Sequence, residues 1–148
     1  MLGHQLIQFV VMVVIGMAFN PMNLLAYRFD DLYVSLTLFY GGLVMAANMI
    51  WGHTLIHYFS KGHFNITNFL VGLVTSVLIT IFLLRNQFMI DDRQYLRRMI
   101  SHHSTALTTS HRISKKTNNK IVKKLADDII ETQEREIKLM RSLLSSKK

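Results

Sequence analysis

The sequence predicts an all-α protein: three transmembrane helices followed by an antiparallel two-helix hairpin, which oligomerisation completes to a four-helix bundle. Three observations carry this. The first part of the chain holds three uncharged runs, each long enough to cross a bilayer as a helix. From Asp91 onward, apolar residues recur with helical period on both sides of a polar turn. The charge is also divided unevenly. The chain has 148 residues, half of them hydrophobic and 18% charged, with a formal net charge of +8. Residues 1–84 contain only Arg28 and Lys61 against Asp30 and Asp31, so all of the excess lies after Leu84. These properties divide the chain into a membrane domain over 1–86 and an amphipathic hairpin over 87–148. They exclude a soluble single-core enzyme, because 84 nearly uncharged residues would leave no polar surface. With no cysteine, a disulfide scaffold is excluded as well.

The first uncharged run, Met1–Tyr27, is most apolar over Leu6–Phe19. It reads as a span rather than a secretory signal, since it lacks a basic leader and a small-residue cleavage site. Pro21 removes a backbone donor and is expected to end or kink this helix. The second run covers Leu32–Ser60 and the third Gly62–Leu84, with Tyr27, Phe29, Tyr33, Tyr58, Phe59 and Phe64 gathered at the breaks as an interfacial belt. Three spans put the termini on opposite sides. Arg28, Arg85, Arg93, Arg97 and Arg98 then fall on the tail side against Lys61 on the other, which favours a cytoplasmic tail.

Within the second run, Met45, Met49, His53 and His57 recur every four residues and form one slanting stripe. Soft and borderline ligands in that pattern suit copper, whereas the plainer reading is packing methionines and interfacial histidines. Gly41, Gly42, Ala46 and Ala47, with Gly16 and Gly72 in the other spans, allow close helix approach.

In the tail, Asp91 or Asp92 caps a helix whose inner stripe is Leu96, Met99, His103, Ala106, Leu107, Ser110 and Ile113. A turn over Ser114–Lys120 follows. The second helix runs from about Lys120 to Leu144, with Val122, Leu125, Ala126, Ile129, Gln133, Glu136, Ile137, Met140 and Leu144 inward. Glu131–Arg135 and Glu134–Lys138 are favourable pairs on its outer side. Folding the hairpin near Thr117 brings Met99, His102, His103, Gln133, Glu136 and Met140 together at the helix–helix interface. A buried carboxylate there must be paired or bind a cation. The set therefore reads either as a metal site or as a His103–Glu136 pair that fixes register.

These same residues carry a resemblance. Met99-Ile100-Ser101-His102-His103 with Ala106, then Leu125-Ala126, Ile129-Ile130, Gln133, Glu136-Ile137 and Met140, resembles the domain of unknown function 305 family over residues 92–144. The resemblance implies a ferritin-like helical module, usually exported, with some members linked to copper binding. Its signature positions here are Met99, His102, His103, Gln133, Glu136 and Met140. Ser101 stands where the family often has proline, and Thr109 replaces a methionine, which removes a soft ligand. Many members carry the motif twice, and this chain carries it once. A lone hairpin buries little surface, so a second copy in a C2 dimer is expected to complete four helices. The family's export habit opposes the cytoplasmic side favoured by the arginines.

The functional expectation is a small integral membrane protein that binds a transition metal, copper above all, for sensing, storage or transfer. The alternative is a membrane-anchored interaction or assembly protein whose histidines and glutamate are structural and whose basic tail docks on a partner or on anionic lipid. Nucleic acid is disfavoured because no stacking aromatics accompany Lys115, Lys116, Lys120, Lys123, Lys124, Lys147 and Lys148. No Ser/His/Asp or Cys/His arrangement, phosphate-binding glycine loop or full Glu-x-x-His set supports an enzyme.

Overall fold

A computed structural model describes residues 2–146, with Leu2, His4 and Gln5 described as backbone only. Lys147 and Lys148 of the basic set lie outside the described residues. All regular elements among the described residues are helical. They form two compact units, one of Met1–Phe19 with Leu36–Ile90 and the other of Asn20–Ser35 with Asp91–Lys148.

The first unit contains α1 (Leu2–Ala18), α3 (Leu36–Lys61) and α4 (Ile66–Leu78), with α4 running on as a π-helix over Ile79–Arg85. Helix α3 is the middle element, and small residues bring its neighbours close. A Cβ on Gly42 would lie 2.9 Å from the Val13 carbonyl oxygen of α1, and one on Gly72 would lie 2.8 Å from the Trp51 backbone nitrogen of α3. Ala46 and Ala47 are fully buried between them. Gly41, expected to share this role, faces open space. Helix α3 ends at Gly62, whose φ of +70° is the left-handed conformation that stops a helix without a Cβ clash. Asn65 starts α4, its side chain accepting a hydrogen bond from the Asn68 N–H at 3.0 Å.

Two of the three expected spans pass as membrane-crossing helices by length and apolarity: Leu6–Leu24, with mean hydropathy 1.7, and Ile66–Arg85, with 2.2. The middle one does not. At 26 residues α3 is long enough, about 39 Å at 1.5 Å per residue. Its glycines and its Asn48, His53, Thr54 and His57 dilute the apolar content. Those polar groups are partly satisfied inside the unit. The Asn48 side-chain oxygen accepts from Ser76 Oγ at 2.6 Å and from Trp51 Nε1 at 3.0 Å. Pro21 neither kinks nor terminates a continuous helix. α1 stops at Ala18, and Pro21 opens the short α2 (Pro21–Leu24), capped by Asn20.

The second unit is built on α5 (Asp92–Lys116) and α6 (Lys120–Ser146), in agreement with the expected hairpin. Asp91 Oδ1 accepts from the Gln94 N–H at 2.7 Å and caps α5. Asn119 Oδ1 does the same for α6 through the Ile121 N–H at 2.9 Å. Ile100, Leu107, Ile137 and Met140 form the core, with Leu96, Met99, Ile130 and Leu144 packed on it. The charge pairing on α6 differs from expectation: Lys123–Asp127 lies within 3.5 Å, whereas Glu131–Arg135 and Glu134–Lys138 form no ion pair among the described residues. These exposed partners gain little over hydration. Segment 20–35, expected to belong with the membrane helices, instead lies along α5 as α2 and a 3-10 turn at Phe29–Asp31.

Candidate functional site

The hairpin brings one pair of the six expected residues into direct polar contact. His103 Nδ1 lies 3.0 Å from Glu136 Oε2, the His103 side chain 15% exposed and that of Glu136 43%. The contact is at ion-pair distance but poorly aligned, so buried Nδ1 has no in-line hydrogen-bond acceptor. Met140 is buried in the apolar core and Met99 packs against that core. Both thioethers therefore have a packing role that sequence spacing could not separate from ligation. Gln133 is half-buried, and His102 is exposed. Its ring meets the His103 ring edge-on, 5.9 Å apart. Adjacent helical residues point about 100° apart, so only one of the two histidines can enter the seam. Among the described residues, no three His, Cys, Asp or Glu side chains gather closely enough to hold a metal ion.

Desolvation, then the charges of His103 and Arg98, hold the His102 imidazole below its ordinary value of 6.5. The folded chain thus binds this proton more weakly than the unfolded chain. The associated stability is present above pH 6.5 and is lost as pH falls through the folded-state value. Denaturation of wild type and His102→Gln at neutral pH and at pH of about 5 checks this, since part of the acid-side loss should vanish in the variant. An unchanged pH dependence would exclude the effect. At the turn, the Ser114 hydrogen bond holds the Asp127 carboxyl below the usual carboxylate range. Ser114 Oγ donates to Asp127 Oδ1 at 2.5 Å and accepts from Lys123 Nζ at 3.0 Å.

The more completely satisfied polar cluster is one that the sequence reading does not anticipate. Asp31 is 2% exposed. Its Oδ2 accepts from Ser104 Oγ at 2.7 Å, and its Oδ1 pairs with the Arg141 guanidinium. Ser104 Oγ in turn accepts from the Tyr27 N–H at 2.8 Å. One turn earlier, Ser101 Oγ donates to Asn23 Oδ1 at 3.1 Å. Tyr27 stacks on His111 with ring centres 4.9 Å apart. Arg97 lies 5.5 Å over the Tyr33 ring. The face of α5 expected to await another copy of the chain is thus covered in part by this chain's own segment 20–35. The signal was present as Ser101 and Ser104, small polar residues one turn apart beside the apolar stripe.

The expected stripe of α3 divides as well. Met45 packs on Gly16, its Sδ 3.3 Å from where a Cβ would stand there. Met49 and His53 line a separate pocket with Met12 of α1.

Apolar helices long enough to cross a bilayer, carried by the same chain as a charged hairpin with a His–Glu pair in its seam, define the class of this protein. Residues 90–148 match the family described as "Domain of unknown function (DUF305)", so the hairpin is a domain of that family. A relative described as "Uncharacterized protein L153", from Acanthamoeba polyphaga mimivirus, is 38% identical over 130 residues, 87% of this chain and 84% of the relative. That similarity extends well beyond the hairpin into the helices before it. No solved structure matches.

Proposed function

We propose that this protein is a multi-pass membrane protein whose hairpin binds a transition metal ion, copper by its resemblance to copper-linked members of the family, for sensing, storage or transfer. The observation that carries the reading is the buried His103 Nδ1, which faces Glu136 at 3.0 Å without an aligned hydrogen bond. These two groups fit as donors to a cation, and the exposed His102, which desolvation and the charges of His103 and Arg98 make harder to protonate, is a further donor just outside the seam. Met140 does not fit, because it fills the core. One chain therefore supplies an incomplete set, and a second copy related by a two-fold axis would complete it. Exposed Leu125, Leu139 and Leu143 on α6 offer apolar surface for that contact. A bound copper ion would supply redox or transfer chemistry. This chain's part is to hold the imidazole and carboxylate together at the seam.

The membrane reading rests on exposure. Only 17% and 11% of the two apolar windows are buried, so lipid is the natural cover for the remainder. Helix α3 serves as a third span, its polar side chains turned to partners within the bundle. The arginine asymmetry puts the hairpin on the cytoplasmic side, which a reporter fused after Lys148 would check.

The test is metal content. Full-length protein in detergent should bind Cu(I) or Cu(II), and His102→Ala/His103→Ala should lose most of it, with mass consistent with a dimer. Equal binding by wild type and the double variant, with the double variant less stable, would favour a second reading. In that reading His103–Glu136 fixes helix register, and the hairpin is an assembly surface. The complete packing of Met140 is the observation on its side.

A further inference from the structure

The first unit holds a pocket of about 210 Å³ to which all three of its helices contribute. Gln8 and Met12 come from α1, Met49, His53 and Thr54 from α3, and Asn68 from α4. Among the described residues, no Lys, Arg, Asp or Glu lines it. An anion would find no countercharge there, and a hard divalent cation would find no carboxylate. Zinc(II) would lack the thiolates or histidine cluster it ordinarily requires. What the pocket does offer is two thioethers and an imidazole, a neutral and soft donor set. Thr54 is already committed, its hydroxyl donating to the Ile50 carbonyl at 3.1 Å. His53 makes no hydrogen bond to any described residue, and among the described residues its ring neighbour is His57.

Further histidines lead away from this pocket. The His53 and His57 ring centres are 6.5 Å apart, and those of His57 and His63 are 6.1 Å apart. His57 Nδ1 lies 3.3 Å from the His63 carbonyl oxygen. With Nδ1 donating there, Nε2 keeps its lone pair for a passing ion. Three imidazoles spaced in this way connect the turn at Gly62–His63 to the two methionines.

We propose that the pocket between α1, α3 and α4 is a binding site for a soft monovalent cation of the copper(I) class. Met12, Met49 and His53 are its donors, and His63 and His57 form the way in. The site is distinct from the hairpin and does not depend on the hairpin binding any metal.

Silver(I), a redox-inert ion of the same class, is the probe. It is titrated into full-length protein in detergent whose hairpin carries His102→Ala/His103→Ala, so that only the pocket is read. This background should bind silver. Adding Met12→Leu/Met49→Leu should abolish that binding while helical content is retained, because such swaps nearly conserve volume. His53→Gln should weaken binding about tenfold or more, the scale seen when even supporting metal contacts are lost. His63→Gln should slow loading and leave equilibrium occupancy unchanged. No silver binding in the background protein, or binding undiminished by the two leucines, would overturn the proposal. The hairpin reading is judged separately, by the difference between wild type and the background variant.

Discussion

Arg141→Met should lower the stability of the second unit by about 2–3 kcal/mol, somewhat below the usual cost of breaking a buried pair because Arg141 is itself partly exposed. The substitution keeps most of the aliphatic stem and removes the guanidinium, so the loss reports on charge rather than on packing. Asp31 would then be a carboxylate at 2% exposure whose remaining described side-chain partner is Ser104. Asp31→Asn alone should also destabilise, since the arginine would face a weaker acceptor. The double variant Asp31→Asn/Arg141→Met should recover part of the loss, as a neutral amide is less costly to bury than an unpaired anion. Hydrogen exchange in α6 and around residues 20–35 provides the readout. Both segments should lose protection together, because Asp31 is bonded to both helices of the hairpin: to α5 through Ser104 and to α6 through Arg141. Additive single and double variants would show that the pair carries no coupling.

This node also marks where sequence reading reaches its limit. The hairpin itself was legible because its signals are local: Asp91 before the stripe, the polar turn to Asn119 and the 3.6-residue period on both helices. The His103–Glu136 pairing followed from register, which a short turn fixes within about one helical turn. Asp31 could not be read in this way. Beside Asp30 between two apolar runs, it has the pattern of a hydrated loop, and only a contact across 110 residues of chain makes it a buried anion. The methionines illustrate a different ambiguity. Met140 and Met49 both stand on stripes of helical period, yet one fills a core and the other, 40% exposed, lines a pocket. Periodicity gives the face of a residue but not whether that face is filled. The middle span failed for a third reason. Its polar side chains lower its hydropathy, while Asn48 finds partners in Ser76 and Trp51 that a window average cannot register.

A pair of glycine substitutions should separate packing from helix propensity in the first unit. Gly72→Ala places a Cβ 2.8 Å from the Trp51 backbone nitrogen and 3.1 Å from the Ala47 carbonyl oxygen. Neither is the end of a flexible side chain, so α3 and α4 must move apart, at a cost of about 1–3 kcal/mol. Gly41→Ala, on α3, meets nothing within 4 Å. There alanine's better helix propensity should stabilise by up to about 1 kcal/mol, and less where lipid already disfavours an unfolded helix. Thermal denaturation in detergent should therefore move in opposite directions for two chemically identical changes. The functional consequence should follow the same division. His53 and Met49 reach the pocket from α3, and Asn68 borders it from α4, one turn before Gly72. Separating these helices should weaken silver(I) binding in Gly72→Ala, whereas Gly41→Ala should bind as wild type does. If the two variants shift alike in both measurements, close approach at Gly72 does not hold the pocket together. The strict opposition of sign makes the test decisive, because a general sensitivity of the helices to added methyl groups would move both in the same direction.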